Sequence, residues 1–240
     1  MPLVSMPRVE RLHLSEVVLP EGHPEATRGR SAVVFGFVID HPDGAIVVDT
    51  GVGRGNPFID DVYSPTVVNL EPALDEAVLD EAGIEPSSVI AVVNSHLHFD
   101  HCGQNPRYYG SRVPVFVQAE EVEAARGRYY TVSEWATVPA DQLRTVRGDE
   151  QIAVGVRLLS TPGHTRGHQS VVIERGGDVV VIAAQSVWDI EEFRRGEASL
   201  ANVDSGELRE AAVASIRRLK SFDPARAYFS HHPQVYSRST

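Results

Sequence analysis

Six residues, His96-Leu97-His98-Phe99-Asp100-His101, constrain this chain more than any other stretch. Only Asn94 and Ser95 separate them from Val89 to Val93, an apolar run of β-branched type that predicts a strand buried on both faces. If the backbone stays extended, His96 and His98 share one side by the period-two alternation of a strand. Asp100 and His101 reach the same point from the turn that follows, and Gly103 lets that turn tighten. Imidazole and carboxylate together suit zinc and its divalent relatives. A metal site is the expectation, and the rest of the chain has to supply its remaining ligands.

The chain is long enough for a sizeable core at 240 residues, and 42% hydrophobic content with 23% charged residues is that of a globular protein. Its net charge of −11 argues against nucleic-acid binding, which rests on clustered Lys and Arg. Cys102 is the only cysteine, which excludes an intramolecular disulfide and a zinc site of four thiolates. It reads as a small buried filler and not as a reactive thiol. No export segment or apolar run of membrane-spanning length is present, and the cytoplasm is the expected compartment. Association as a homodimer is expected on general grounds only.

Around the motif the chain reads as strands with short turns. Ala32 to Ile39 and Ala45 to Val48 flank Asp40-His41-Pro42-Asp43-Gly44 as a hairpin, and Asp49 to Pro57 is a glycine-rich loop. Pro72 opens a helix that Gly83 stops. Val113 to Val117 is a strand, followed by a short acidic helix from Ala119 to Arg126. Gly127 to Val146, with Tyr129, Tyr130 and Trp135, reads as core or cover more than as pocket lining. Strands follow at Ile152 to Val154, Val156 to Leu159, Ser170 to Ile173 and Val179 to Ala183, with Gly176-Gly177 as a turn. A helix runs from about Gly206 to Phe222, with Asp204 and Glu207 as a capping pair, and Ala227 to Phe229 is a last strand. These elements predict one compact domain over residues 1–240, two sheets in contact with helices outside.

Two further histidine sites repeat the design of ligands just beyond a strand end. They are Thr161-Pro162-Gly163-His164-Thr165-Arg166-Gly167-His168 and Ser230-His231-His232-Pro233. With these in place the chain resembles the metallo-β-lactamase superfamily over most of its length. The six-residue motif resembles that family's H-x-H-x-D-H, Thr161 to His164 its third-histidine loop, and Ser230 to His232 its terminal-histidine loop. The resemblance implies an αββα sandwich, an α/β fold in which two mixed sheets pack face to face with helices outside. It further implies that His96, His98 and His164 hold one metal, and that Asp100, His101 and His231 hold a second. One or two zinc ions are implied, with iron or manganese in their place as the alternative. Asp49 resembles the family's aspartate that orients a ligand imidazole from behind, and His168 and His232 fall where they could support the ligands in the same way.

Where the family carries an Asp bridging both metals, this chain has Gln185, in Ala183-Ala184-Gln185-Ser186-Val187-Trp188. An amide oxygen can ligate but brings no charge. The expectation is a weaker second metal, or Asp189 swinging in as substitute. The intervals between motifs and the Thr-Pro-Gly-His-Thr-x-Gly-His run most resemble the N-acyl homoserine lactonase branch. That branch often places a Tyr three residues after the bridging Asp; here the position is Trp188, which can donate a hydrogen bond but cannot titrate.

The implied reaction is hydrolysis of an ester-like carbonyl, with Asp100 moving a proton and Trp188 beside the substrate. The substrate is a small molecule, a lactone or otherwise an ester or thioester. Thioester hydrolysis of the glyoxalase II type and a non-catalytic metal- or ligand-binding protein are the competing readings. A zinc β-lactamase of the commonest subclass would need a downstream Cys, and superfamily nucleases need an inserted domain. His13, His23 and His41 read as surface residues, and Glu120 and Glu121 as a solvated face. Arg166 stands beside His164, where it could meet a polar substrate group.

Overall fold

A computed structural model describes residues 8–28, 30–67, 88–203 and 206–238. Two sheets carry the architecture. The first has seven strands in the order β4-β1-β2-β3-β5-β6-β7: β1 (Arg8–Val18), β2 (Ser31–His41), β3 (Gly44–Val48), β4 (Thr66–Val67), β5 (Val89–Val93), β6 (Val115–Gln118) and β7 (Leu143–Val146). The second has six, ordered β13-β12-β11-β10-β9-β8: β8 (Glu150–Ala153), β9 (Val156–Ser160), β10 (Gln169–Arg175), β11 (Asp178–Ala184), β12 (Arg226–Phe229) and β13 (Tyr236–Ser237). Both are mixed: β3, β5, β6 and β7 run parallel, as do β11 and β12, and the other pairs are antiparallel.

Alternation along the strands explains the layers. Phe37, Ile39, Ile46, Val48 and Val93 of the first sheet meet Leu158, Val171, Ile173 and Ile182 of the second in one buried cluster. Their neighbours in sequence point the other way. Val34, Val38, Val47 and Val92 pack outward with Leu97, Cys102, Tyr108 and Trp135. On the far side, Leu159, Val172 and Val181 pack against Phe193 of α5 (Ile190–Arg195) and against Ala212, Ile216 and Leu219 of α6 (Arg209–Ser221). The remaining α-helices among the described residues are short: α1 (Pro57–Val62), α2 (Phe99–Cys102), α3 (Ala119–Ala124) and α4 (Ser133–Ala136). This is the αββα sandwich.

The expected strands and the 40–44 hairpin are found, and Trp135 is core as read. The helix from Pro72 and the Asp204 cap lie outside the described residues. No sequence reading found β1, although it forms the longest strand pairing, with β2. A register shift between His13 and Ser15 breaks its alternation, so its apolar residues change phase halfway along. Gly103 works differently from the expectation. Its φ of −61° needs no glycine, but a Cβ there would sit 2.0 Å from the Gly53 nitrogen. Its role is close backbone approach: the 49–57 loop lies directly beneath the motif, with the Gly103 N–H donating to the Gly51 carbonyl at 2.8 Å.

Candidate metal centre

The C-terminal ends of β3, β5, β9, β11 and β12 open on one edge of the sandwich, and every expected ligand leaves from one of them. His96, His98, Asp100 and His101 come from the first sheet; His164, Gln185 and His231 come from the second. Backbone bonds lock the sheets together there: Phe35 N–H to the Ser230 carbonyl and Gln169 N–H to the Ser95 carbonyl, both at 2.8 Å. Two non-glycine residues beside the site have positive φ, Asp49 at 60° and Ala184 at 51°. Ala184 sits at a bulge between β11 and β12 and turns Gln185 inward.

Two groups of donor atoms gather at this edge, His96-His98-His164 and Asp100-His101-His231, each with its atoms within 4.8 Å of one another. His96 Nε2 and His164 Nε2 each lie 3.1 Å from His98 Nδ1. His101 Nε2 and His231 Nε2 are 3.3 Å apart, and Gln185 Oε1 is 3.0 Å from both. A tetrahedral metal with bonds of about 2.0–2.1 Å sets neighbouring ligands about 3.3 Å apart, so the spacing fits a bound ion.

The backs of the rings decide which nitrogens carry protons. His101 Nδ1–H donates to Asp49 Oδ2 at 2.8 Å, His231 Nδ1–H to the Val33 carbonyl at 2.8 Å, and His164 Nδ1–H to the Asn202 carbonyl at 3.2 Å. Ser95 O–H donates to Asp49 Oδ2 at 2.7 Å, so its oxygen accepts from His96 Nδ1–H at 3.1 Å. Four rings therefore turn Nε2 lone pairs inward, and in the second group two of them meet an amide oxygen. A cation, or a proton on His101 in its place, satisfies the inward-facing acceptors of the second group. The donor set fits a divalent metal.

Electrostatics agree. Burial and neighbouring imidazoles push His96 and His164 well below the usual range. Burial takes His98 and His231 down to about 4 despite Asp100, and His168 to about 3. At His101 burial also pulls downward, but Asp100 and Asp49 outweigh it and hold the metal-free ring at about 9. Burial disfavours the Asp100 carboxylate, yet His101, His231 and His98 lower its pKa on balance. In the metal-free protein a proton on His101 thus stands where a cation would. Metal binding at pH 7 is expected to expel that proton. The sign follows: apparent affinity rises about tenfold per pH unit up to about pH 9 and then levels off. Calorimetry in buffers of different ionisation heat measures the released proton, and a binding heat independent of buffer would refute this.

Asp49 does more than expected, since it reaches His101 directly and His96 through Ser95. His168 is buried behind His96, with ring centroids 5.6 Å apart. Trp188 stacks on His231 at 4.6 Å and faces the cavity. Four expectations need correction. Asp189 does not swing in: it caps α5, accepting from Glu191 N–H at 2.8 Å and Glu192 N–H at 2.9 Å. His232 belongs to neither donor group, since the chain bends at Ser230 and His231; its Nδ1 accepts from Gln234 N–H at 3.3 Å. Arg166 is exposed and pairs with Glu207 at 3.3 Å, outside the cavity lining. Glu121 is fully buried, not solvated. Of the histidines expected at the surface, His41 is buried too, donating through Nε2 to the Val154 carbonyl at 2.9 Å, and His23 lines the cavity.

Both donor groups stand at the floor of a cavity of about 1350 Å³, with His98, Asp100, His164, Gln185, Trp188 and His231 among its lining. Its walls include Val17, Leu19, Phe58, Tyr63, Val122 and Leu143, so the route from solvent is largely apolar. Tyr130, read above as core or cover, is pocket wall: its ring lies 4.9 Å from that of His98. No helix of the described residues is long and apolar enough to cross a membrane.

A two-sheet sandwich with histidine-rich donor groups at one edge defines a metal-dependent hydrolase. The model of the metallo-beta-lactamase superfamily matches residues 31–231, and the chain belongs to that superfamily. An N-acyl homoserine lactonase of Bacillus cereus is 32% identical over 195 residues, covering 78% of this chain and 75% of the relative. A Bacillus sp. protein of the same name is 33% identical over the same span. Among solved structures, a mutant of Bacillus thuringiensis AiiA with N-decanoyl-L-homoserine bound at its active site superposes with a TM-score of 0.75 at 25% identity, covering 95% of this chain and 94% of that one. An N-acyl homoserine lactone hydrolase with N-hexanoyl-L-homoserine at its catalytic metal centre gives 0.74 at 25% identity, with the same coverage.

Proposed function

We propose that this protein hydrolyses the ring ester of N-acyl homoserine lactones, with the acyl chain lying along the apolar cavity. The observation that carries this reading is the position of both donor groups at the floor of one cavity whose lining includes an apolar set, Val17, Leu19, Phe58, Val122 and Leu143. A lactone with an acyl tail has the matching shape, a polar ring to be opened and an apolar tail to be desolvated. In this reading His96, His98 and His164 hold one divalent ion, and Asp100, His101, Gln185 and His231 hold the other, zinc being the ion best matched to the donors. When bound, the metal supplies a Lewis acid and water ionised near neutral pH.

The chain's own residues do the rest. Asp49 holds His101, and through Ser95 also His96, each with one nitrogen facing inward. Asp100, kept ionised and with its carboxylate 3.5 Å from His101 and 3.6 Å from His231, takes the proton released on attack and returns it to the departing ring oxygen. Trp188 walls the cavity above His231 and holds the lactone against the floor. Trp188 offers no titrating group, so this falls to packing. The apolar walls exclude water from the acyl tail.

The test is a substrate panel on purified, metal-loaded protein: N-acyl homoserine lactones of several chain lengths, a thioester and a β-lactam. Lactone turnover should exceed the other two by at least about tenfold in kcat/KM, vanish with a chelator and return with zinc. A thioester turned over faster than every lactone would replace this reading with the glyoxalase II one.

A further inference from the structure

The buried carboxylate of Glu121 is the largest polar investment at this edge that the proposed reaction does not use. It stands in the first turn of α3 with none of its surface exposed. Oε1 accepts from Leu97 N–H at 2.8 Å and from the Tyr130 hydroxyl; Oε2 accepts from the Thr165 hydroxyl at 2.6 Å. The Gly167 backbone bonds it as well. Those four donors belong to three separate segments. Leu97 stands between His96 and His98, Thr165 and Gly167 follow His164, and Tyr130 lies over the His98 ring. Gly167 is glycine because a Cβ there would lie 2.2 Å from the Glu121 nitrogen. The chain gives up a side chain at Gly167 to bring this loop against α3.

We infer that Glu121 is a positioning residue: it fixes His96 and His98 of one sheet against His164 of the other, and pins Tyr130 as the wall above them. A buried carboxylate costs desolvation, and burial does push Glu121 upward, with its donors pulling it back. The return is register between two loops that are otherwise tied by a backbone bond only at their ends, from Gln169 N–H to the Ser95 carbonyl. The inference rests on the proposed role of His96, His98 and His164 as ligands, and it assigns Glu121 no contact with substrate.

The experiment compares Glu121→Gln, Thr165→Val and Tyr130→Phe with the native protein, with exposed Glu120→Gln as control. It reads equilibrium zinc affinity, the absorption spectrum of the cobalt-substituted protein, and kcat and KM separately. Glu121→Gln should weaken zinc binding by about tenfold to a hundredfold and alter the cobalt spectrum, while the metal-free protein keeps its far-ultraviolet dichroism. Thr165→Val should reproduce part of the loss in metal affinity. Tyr130→Phe should raise KM more than it changes affinity, and Glu120→Gln should change nothing. If Glu121→Gln only lowers thermal stability, with zinc affinity, spectrum and kcat at native values, Glu121 is a structural residue and the inference fails. If the native protein itself binds no zinc, the ligand assignment fails first, which is a different result. Should Glu121→Gln not fold, native affinity and spectrum in both Thr165→Val and Tyr130→Phe would overturn the inference on their own.

Discussion

Asp100→Asn is expected to lower kcat for lactone hydrolysis by about 10²–10⁴-fold at saturating metal, with KM far less affected. The amide keeps the size of the carboxylate, so the cavity is undisturbed, but it can neither accept a proton nor carry charge. Two effects combine. The first is loss of the proton carrier between attack and ring opening. The second is loss of the only carboxylate among the donor atoms of the two groups, which weakens metal binding. Measuring at saturating metal separates them, since only the proton-transfer loss survives there. Without Asp100, His101 also loses one of the two anions that hold its proton, so metal binding to the variant should release less of a proton at pH 7. A kcat within tenfold of the native value at saturating metal would remove Asp100 from the reaction and leave it a ligand alone.

The second large effect is expected at Gln185. Its amide oxygen sits 3.0 Å from both inward-facing nitrogens of the second group, His101 Nε2 and His231 Nε2, so the position of a ligand is kept there and the charge is missing. At an effective dielectric near 20, two unit charges 4 Å apart interact by about 4 kcal/mol, and two divalent ions by about four times that. One anion between them is therefore a large fraction of what lets both stay. The native protein should bind one equivalent of zinc tightly and the second at least about tenfold more weakly; Gln185→Asp should close that gap. Because Asp189 is committed to capping α5, it does not substitute for the lost charge. Titration against a competing chelator measures both constants. Two equally tight ions in the native protein, unchanged by Gln185→Asp, would refute the argument.

The parts of this molecule legible in its sequence are those where local pattern and tertiary role coincide. Val89 to Val93 is apolar throughout because all of β5 but Ile90 is buried, and the histidines follow a strand end because the sandwich opens there. Gln185 was legible only through the family resemblance, in which a bridging Asp follows this strand. What escaped notice was set by partners remote in sequence. Glu121 looks like its exposed neighbour Glu120 until the loop after His164 arrives 44 residues later to bury it. Tyr130 sits in a stretch without periodicity, and only the fold brings it over His98. β1 hid behind its own bulge. A signal for Glu121 did exist, in Gly167: a glycine three residues before an expected strand and three after a candidate ligand marks a place where another backbone comes close.

Because the donors are divided between the two sheets, the centre reports on how the halves of the sandwich sit against each other. Phe37 and Ile173 touch no ligand, yet they set the height at which one sheet rides on the other. A displacement of 1 Å among reacting groups costs about a hundredfold in rate. Selection on turnover therefore reaches into the hydrocarbon between the sheets. Substitutions there that leave the protein folded should still be read by the enzyme as a fault in alignment, much as an optical bench registers a loosened mount far from the lens.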